Sequence, residues 1–452
     1  MSIQDQQAVT RSFDAEHHQI SRSLTEVTLR RMLRGLECGQ LVVDTPGGER
    51  IVFNGDRPGP KARLTVHSWR FLLRLATGWD LGFAEAYRAG EWSSPNLATL
   101  LRFACHNSGA MEQLRSPRVP RFWLKLRHAL NRNTPRGSRR NIAAHYDLGN
   151  DFYEQWLDAG MTYSSGLFSS PDQTLEEAQD AKLDRVINML GLAGGETVLE
   201  IGCGWGGLAE RLMDRCDCAV TGVTLSTEQL AFAQKRLRNR ARSGHCDLRL
   251  QDYRHVHGTF DRIVSIEMLE AVGETYWPTY FEKLRNSLRP GGSAVLQVIT
   301  IDDAQFESYR RRPDFIQKYI FPGGMLPTTR IIERETSKAG LQLVASEFFG
   351  DSYARTLEQW RLRFHSAWPA IEGLGFDERF KRTWEYYLAY CQVGVETEAL
   401  NVGLYKVTRA MPKVGGRAPC GAACSSSSCT CPSVIRVATA RPMSQRHRRR
   451  HA

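Results

Sequence analysis

The sequence predicts an α/β fold: a mostly parallel sheet covered by helices on both faces, with helical insertions late in the chain and a small α/β domain in front. Three observations carry this. From about residue 175, short apolar runs alternate with amphipathic stretches of helical length, the pattern of strand–helix–strand units. The first of these runs, Val198-Leu199-Glu200-Ile201, enters a cluster of glycines, as a strand does before a ligand-binding turn. The chain has 452 residues, 42% hydrophobic and 24% charged, enough for a large core, and no apolar run of about 18 residues that would cross a membrane.

The elements follow in order. Residues 1–110 read as the small domain. Leu41, Val42 and Val43, then Ile51, Val52 and Phe53, flank Pro46-Gly47-Gly48 as two strands around a turn. Amphipathic helical stretches follow at 69–77 and 97–104. Residues 111–140 form a basic linker, of which 114–140 hold nine Lys or Arg and no acid, interleaved with Phe122, Trp123, Leu124, Leu126 and Leu130. This is either a solvated connection or an interfacial segment, with aromatics at the acyl boundary and cations at anionic head groups. The second domain spans 141–410. Within it LEEAQDAKLDRVINMLGL is a helix, ETVLEIG a strand, CAVTGVTL a second strand and STEQLAFAQKRLRNR a helix. CDLRLQDY and FDRIVSIEML are further strands, and ETYWPTYFEKLRNSLRPGG is a helix leading to the strand SAVLQVITI. Residues 303–400 read as mostly helical and aromatic-rich, and NVGLYKVTR returns as a closing strand.

The net charge of +11 is largely a property of residues 411–452, which carry eight Lys or Arg and no acid. The rest of the chain is nearly neutral, so the basic pI is largely a tail property. Nucleic acid could use the charges at 114–140 as well, so that stretch alone decides nothing, and no nucleic-acid partner is expected. The same tail holds Cys420, Cys424, Cys429 and Cys431 at poor metal-ligand spacing, in a small, polar, aperiodic context that reads as disordered. No metal site is expected. The other cysteines are scattered, as reduced thiols are. With no apolar signal core at the N-terminus, a cytoplasmic protein is expected.

The strongest local motif is Glu200-Ile201-Gly202-Cys203-Gly204-Trp205-Gly206. Glycines there let a ligand approach the backbone at a helix N-terminus, and an acid stands on the strand itself. This E-x-G-x-G pattern suits S-adenosylmethionine better than a dinucleotide, because no pyrophosphate needs cradling and Glu200 can orient an amino-acid end. Downstream, Thr224, Leu225 and Gln229 follow the second strand, where ribose hydroxyls need polar partners. Asp252 and Tyr253 end the third strand, where a carboxylate can accept from the adenine amino group. The fold expected is thus the class I methyltransferase type, Rossmann-like, with a mostly parallel seven-stranded sheet. The [DNS]PP[YFW] box of amino-methylating nucleic-acid enzymes is missing, since the chain has no double proline.

Four further segments complete a pattern: NIAAHYDLGNDFYEQWLDAGMTYSSGLF, SIEMLEAVG, DFIQKYIFPGGMLP and WEYYLAYC. With VLEIGCGWGGLA, TGVTLSTEQ and LQDYR between them, they resemble the cyclopropane-fatty-acyl-phospholipid synthase family over about residues 140–410, and 1–130 resemble the extra domain of its long members. The resemblance implies electrophilic methylation of an alkene in the acyl chain of a membrane phospholipid. A carbocation follows and, after loss of a proton, a cyclopropane ring. It implies a peripheral association with the inner face of the membrane and is compatible with a homodimer. It implies Tyr163 and Ser164 at the cofactor, and a bound bicarbonate as base held by Ser165, Glu270, Gln297, Ile299 and Tyr387. Ser165 and Gln297 stand where the family carries Cys and His. Relatives with this pair include enzymes giving mid-chain methylene or methyl-branched chains without ring closure.

Overall fold

The computed structural model describes residues 33, 35–109, 148–238 and 245–411. The basic stretch 114–140 and the tail beyond Met411 lie outside the described residues.

The N-terminal hairpin forms at the expected turn. Strand β1 (Cys38–Asp44) pairs antiparallel with β2 (Arg50–Asn54), and Gly48, at φ 84°, donates its N–H to the Thr45 carbonyl at 2.9 Å. Leu41, Val43 and Ile51 fill the inner face. A third strand, β3 (Arg57–Val66), lies parallel to β1, and the short β4 (Trp92–Ser93) pairs with β3, in the order β2-β1-β3-β4. Pro58 and Pro60 disguise β3 in the sequence, since proline lacks the ladder donor and reads as loop. Helix α1 (Arg70–Arg88) runs past the expected segment and is broken at Trp79, whose φ of 51° is left-handed. Helix α2 (Leu97–His106) starts where Asn96 accepts from the Thr99 N–H at 3.0 Å.

The large sheet has seven strands: β5 (Thr197–Ile201), β6 (Ala219–Thr224), β7 (Cys246–Leu250), β8 (Phe260–Ile266), β9 (Leu288–Ile301), β10 (Leu341–Phe348) and β11 (Leu400–Arg409). Their order is β10-β11-β9-β8-β5-β6-β7, parallel except for β11, which runs antiparallel to both neighbours. Strand β10 falls inside the stretch expected to be helical. It is an edge strand with an exposed, weakly apolar outer half, so its sequence lacks the signal that marks the buried β5 and β9.

The helices are α3 (Asn150–Glu154), α4 (Leu175–Leu190), α5 (Gly207–Arg215), α6 (Thr227–Leu237), α7 (Leu269–Val272) and α8 (Trp277–Ser287), then α9 (Asp303–Arg311), α10 (Phe315–Tyr319), α11 (Thr329–Lys338), α12 (Gly350–Ser366), α13 (Trp368–Gly373) and α14 (Glu378–Glu396). A capping box starts α4: Thr174 accepts from the Glu177 N–H at 3.2 Å, and Glu177 accepts from the Thr174 N–H at 2.8 Å. Helix α14 is buried on several sides, through Trp384, Tyr387, Leu388, Cys391 and Val395. The N-terminal elements pack on it: the Tyr87 hydroxyl donates to Glu385 at 2.6 Å, the Arg88 guanidinium to the Thr383 hydroxyl at 2.7 Å, and Arg102 pairs with Glu396 at 2.6 Å. No helix of the described residues is long and apolar enough to cross a membrane.

Candidate active site

Strand β5 lies between β6 and β8, so the strand order reverses there, and α/β sheets take ligands at the carboxyl ends of strands at such a point. Beyond β5 the Gly202 and Cys203 N–H groups both donate to the Val223 carbonyl, at 2.9 and 3.1 Å, which pins the turn to β6. Gly204 has φ 51°, and a side chain there would meet no atom of the described residues within 4 Å. A cavity of about 130 Å³ opens at this point. It is lined by Tyr163, Ser164, Glu200, Gly202 and Gly204 on one side and by Thr224, Leu225, Gln229 and Tyr253 on the other.

Two residues expected at the cofactor do not line this cavity. A Cβ on Gly206 would stand 3.0 Å from that of Ala233, so this glycine lets α5 approach α6. The Asp252 carboxylate is engaged by Arg254, at 2.6 and 2.9 Å, and caps a short 3₁₀ turn, leaving Gln251 and Tyr253 to face the cavity. The Thr224 hydroxyl donates to the Gln229 side chain at 3.0 Å, which fixes both.

Sequence reasoning missed a buried cation. Lys182 on α4 is fully buried, and its Nζ donates to the Ser164 hydroxyl at 2.7 Å. Burial pulls the amine down to about 8, against the opposing charges of Glu267, Asp158 and Glu200. Burial pushes the Glu200 carboxyl up to about 8, and its Oε2 has no hydrogen-bond partner among the described residues. An orphaned buried carboxyl oxygen, an open glycine and a polar rim fit the amino-acid and ribose parts of S-adenosylmethionine.

A second cavity, of about 1270 Å³, adjoins the first. Its walls are mostly apolar and aromatic, and Glu270, Ile299 and Tyr387 face it. The Ile299 N–H donates to Glu270 Oε1 at 2.5 Å, while Oε2 is buried without a partner among the described residues. Burial, with the nearby charge of Glu267, pushes this carboxyl up to about 8. The Tyr387 hydroxyl shares a 2.8 Å hydrogen bond with that of Tyr163. Tyr163 lies in an aromatic nest, with Tyr153, Trp156 and Trp360 ring centroids 5.3–5.5 Å away.

Ser165 and Gln297 do not line the second cavity. Both side chains are fully buried behind a residue the sequence reading passed over, Glu267. The Ser165 N–H and Gln297 Nε2 each donate to Glu267 Oε1 at 2.8 Å. Glu267 is non-glycine yet has φ 49°, a strained left-handed backbone of the kind found at functional sites. The available signal was a second acid three residues before Glu270.

Residues 133–404 match the sequence profile of the family described as mycolic acid cyclopropane synthetase. The chain belongs to that family. Among relatives of this synthetase family, it is 40% identical to a tuberculostearic acid methyltransferase of Mycobacterium tuberculosis, over 74% of this chain and 79% of the relative. It is 36% identical to the cyclopropane-fatty-acyl-phospholipid synthase of Escherichia coli, over 75% of this chain and 85% of that one. In structure it resembles a mycolic acid cyclopropane synthase complexed with SAH and CTAB, with TM-score 0.56 and 30% identity over 60% of this chain and 97% of that one. The synthetase family fixes the fold as a class I methyltransferase and the donor as S-adenosylmethionine.

The raised carboxyls of Glu200 and Glu270 have a consequence for stability. A carboxyl whose folded pKa is raised favours its neutral form, so its contribution is intact below the unfolded value, near 4.3, and is lost as pH rises towards the folded value. For Glu200 and Glu270 the loss runs from about pH 4.5 to about 8. The cofactor-free protein should therefore melt at lower temperature at pH 8 than at pH 5.5, and Glu270→Gln should lessen that slope. Parallel melting curves for both proteins across this range would show that Glu270 is not a buried neutral acid.

Proposed function

We propose that this enzyme transfers a methyl group from S-adenosylmethionine to the cis double bond of an unsaturated acyl chain in a membrane phospholipid. One observation carries the reading: the crevice at the glycine turn and the large apolar cavity share three wall residues, Tyr163, Glu267 and Met268. A long chain threaded through the second cavity would lie against the mouth of the first. The names of the M. tuberculosis and E. coli relatives, a tuberculostearic acid methyltransferase and a cyclopropane-fatty-acyl-phospholipid synthase, support the same substrate class.

When bound, the cofactor supplies an electrophilic methyl on a positively charged sulfur. The alkene is a weak nucleophile, so confinement of the chain is the main contribution the walls make to the rate. Methyl transfer leaves a carbocation on the chain. Tyr163, Tyr387, Tyr353 and Trp360 line the cavity and offer ring faces to that charge while excluding water. Glu270, held by the Ile299 N–H, lines the same cavity.

The product depends on how long the cation survives. Prompt loss of a proton from the new methyl closes a cyclopropane ring, the outcome the family resemblance implies. A hydride shift first, giving the more substituted cation, leads instead to a mid-chain methylene and, after reduction, a methyl branch. This second reading is favoured by the burial of Ser165 and Gln297 behind Glu267, and by the name of the 40% identical relative. We place the enzyme on the cytoplasmic face of the membrane as a peripheral protein, a reading supported by the basic, aromatic-studded sequence at 114–140.

Expression in a host rich in unsaturated phospholipids and lacking such an enzyme tests both points. Gas chromatography with mass spectrometry should find acyl chains enlarged by one CH₂ unit. Ring and methylene products have equal mass, but mild hydrogenation reduces only the methylene. Label from the methyl donor appearing in head groups or RNA rather than acyl chains would refute the proposal.

A further inference from the structure

The hydrogen bonds around Glu270 disagree with a bicarbonate base. Each donor of the five-residue set expected to hold the anion already ends on a protein oxygen. The Ile299 N–H is taken by Glu270, Gln297 Nε2 by Glu267 at 2.8 Å, and the Ser165 hydroxyl by the Gly166 carbonyl at 2.9 Å. The Tyr387 hydroxyl is shared with Tyr163. Among the described residues, the atoms of this set left without partners are two oxygens, Glu270 Oε2 and Gln297 Oε1, while elsewhere in the cavity wall the Trp360 indole N–H is also unpaired. An added anion would lie beside the Glu267 and Glu270 carboxyls. Apart from a protonated Glu270, this set could hold it only if its donors left their present protein acceptors, which low-dielectric surroundings penalise. Turning the Gln297 amide over would set its oxygen against Glu267, so the orientation is fixed by its partner.

Building on the methyl transfer proposed above, we infer that Glu267 is the enzyme's own base, standing where the family is expected to use bicarbonate. Glu267 lines both cavities, at the junction where the proposed methyl transfer would occur. Burial raises the Glu267 carboxyl above the ordinary range, which strengthens it as a base, while the Ser165 N–H and Gln297, which hold one oxygen, and the positive charge of buried Lys182 partly offset that rise. In the step assigned to it, a proton of the transferred methyl moves to a Glu267 oxygen. The C–H bonding pair closes the ring onto the adjacent cationic carbon, or forms the methylene double bond if a hydride shift has come first. Nothing is oxidised or reduced in this step, and the proton leaves to solvent with the product.

The test uses the full-length enzyme, methyl-labelled S-adenosylmethionine and vesicles of dioleoyl phosphatidylglycerol in buffer stripped of carbon dioxide. Wild-type turnover should be unchanged, within about twofold, when bicarbonate is added back. Glu267→Gln should lower turnover by roughly 10²–10⁴, the usual cost of losing a general base, with cofactor affinity by calorimetry little changed. Glu267→Gly keeps the left-handed backbone and frees the Ser165 N–H and Gln297 donors, so added bicarbonate should restore activity in a saturable way. A wild type that loses most of its turnover without bicarbonate would overturn the assignment, as would a fully active Glu267→Gln. The wild-type comparison needs no variant to fold. If no protein labels acyl chains under any condition, the functional reading fails and this assignment with it.

Discussion

Replacing Gly204 by valine is expected to abolish binding of S-adenosylmethionine while leaving the protein folded. The glycine stands at φ 51°, where a β-branched residue is strained by about 1–2 kcal/mol. A side chain there would meet no atom of the described residues, and Gly204 lines the cofactor crevice. Valine methyls would fill that space, and a loss of more than about 2.7 kcal/mol corresponds to at least roughly 100-fold in affinity. Alanine should fall between, because one methyl is smaller and tolerates the backbone better. Gly202 gives the contrast: a side chain there would collide with Met268, so its substitution disturbs the turn itself. Calorimetry showing near-normal affinity in a folded Gly204→Val protein would remove the glycine turn from the cofactor site.

Lys182→Met is expected to be the most destabilising single change near the site. The ammonium is the buried charge opposing Glu267, Asp158 and Glu200, and removing one partner of a buried ion cluster costs about 3–5 kcal/mol. The effect should depend on pH in a definite direction. Without the lysine the carboxyl groups shift further upward, so the folded state binds more protons than the unfolded one between about pH 5 and 7. Stability must then fall more steeply with rising pH in the variant. Urea unfolding of both proteins at pH 5 and pH 7 measures this: the gap should be wider at pH 7. An equal gap at the two values would mean that packing of the lysine stem, not its charge, is what the core needs.

The sequence made some of this legible and not the rest, for physical reasons. The glycine turn was readable because left-handed backbone and close ligand approach both demand glycine, and little else produces that cluster after an apolar strand. The β5–β9 alternation was readable because buried parallel strands are nearly all apolar. Lys182 was not: in LEEAQDAKLDRV a lysine on an amphipathic helix looks solvated, and only the fold puts it against three carboxyl groups. Glu267 escaped for the same reason, since an acid beside a short helix reads as surface until its hydrogen bonds to Ser165 and Gln297 are seen. Asp252 misled in the opposite sense: its position after β7 suggested a ligand, but Arg254, two residues on, holds its carboxylate.

The large cavity draws its walls from two separate stretches of chain. Leu41, Leu64, Phe71, Phe83 and Leu101 come from the N-terminal sheet and helices, whereas Glu267, Glu270, Ile299 and Tyr387 come from the seven-stranded part. Under the proposed function, the residues that gauge the length and shape of a lipid tail and those that act on its double bond are thus inherited as different blocks of sequence. Selection, or an engineer, can retune which lipids enter through the first block without touching the chemistry written in the second.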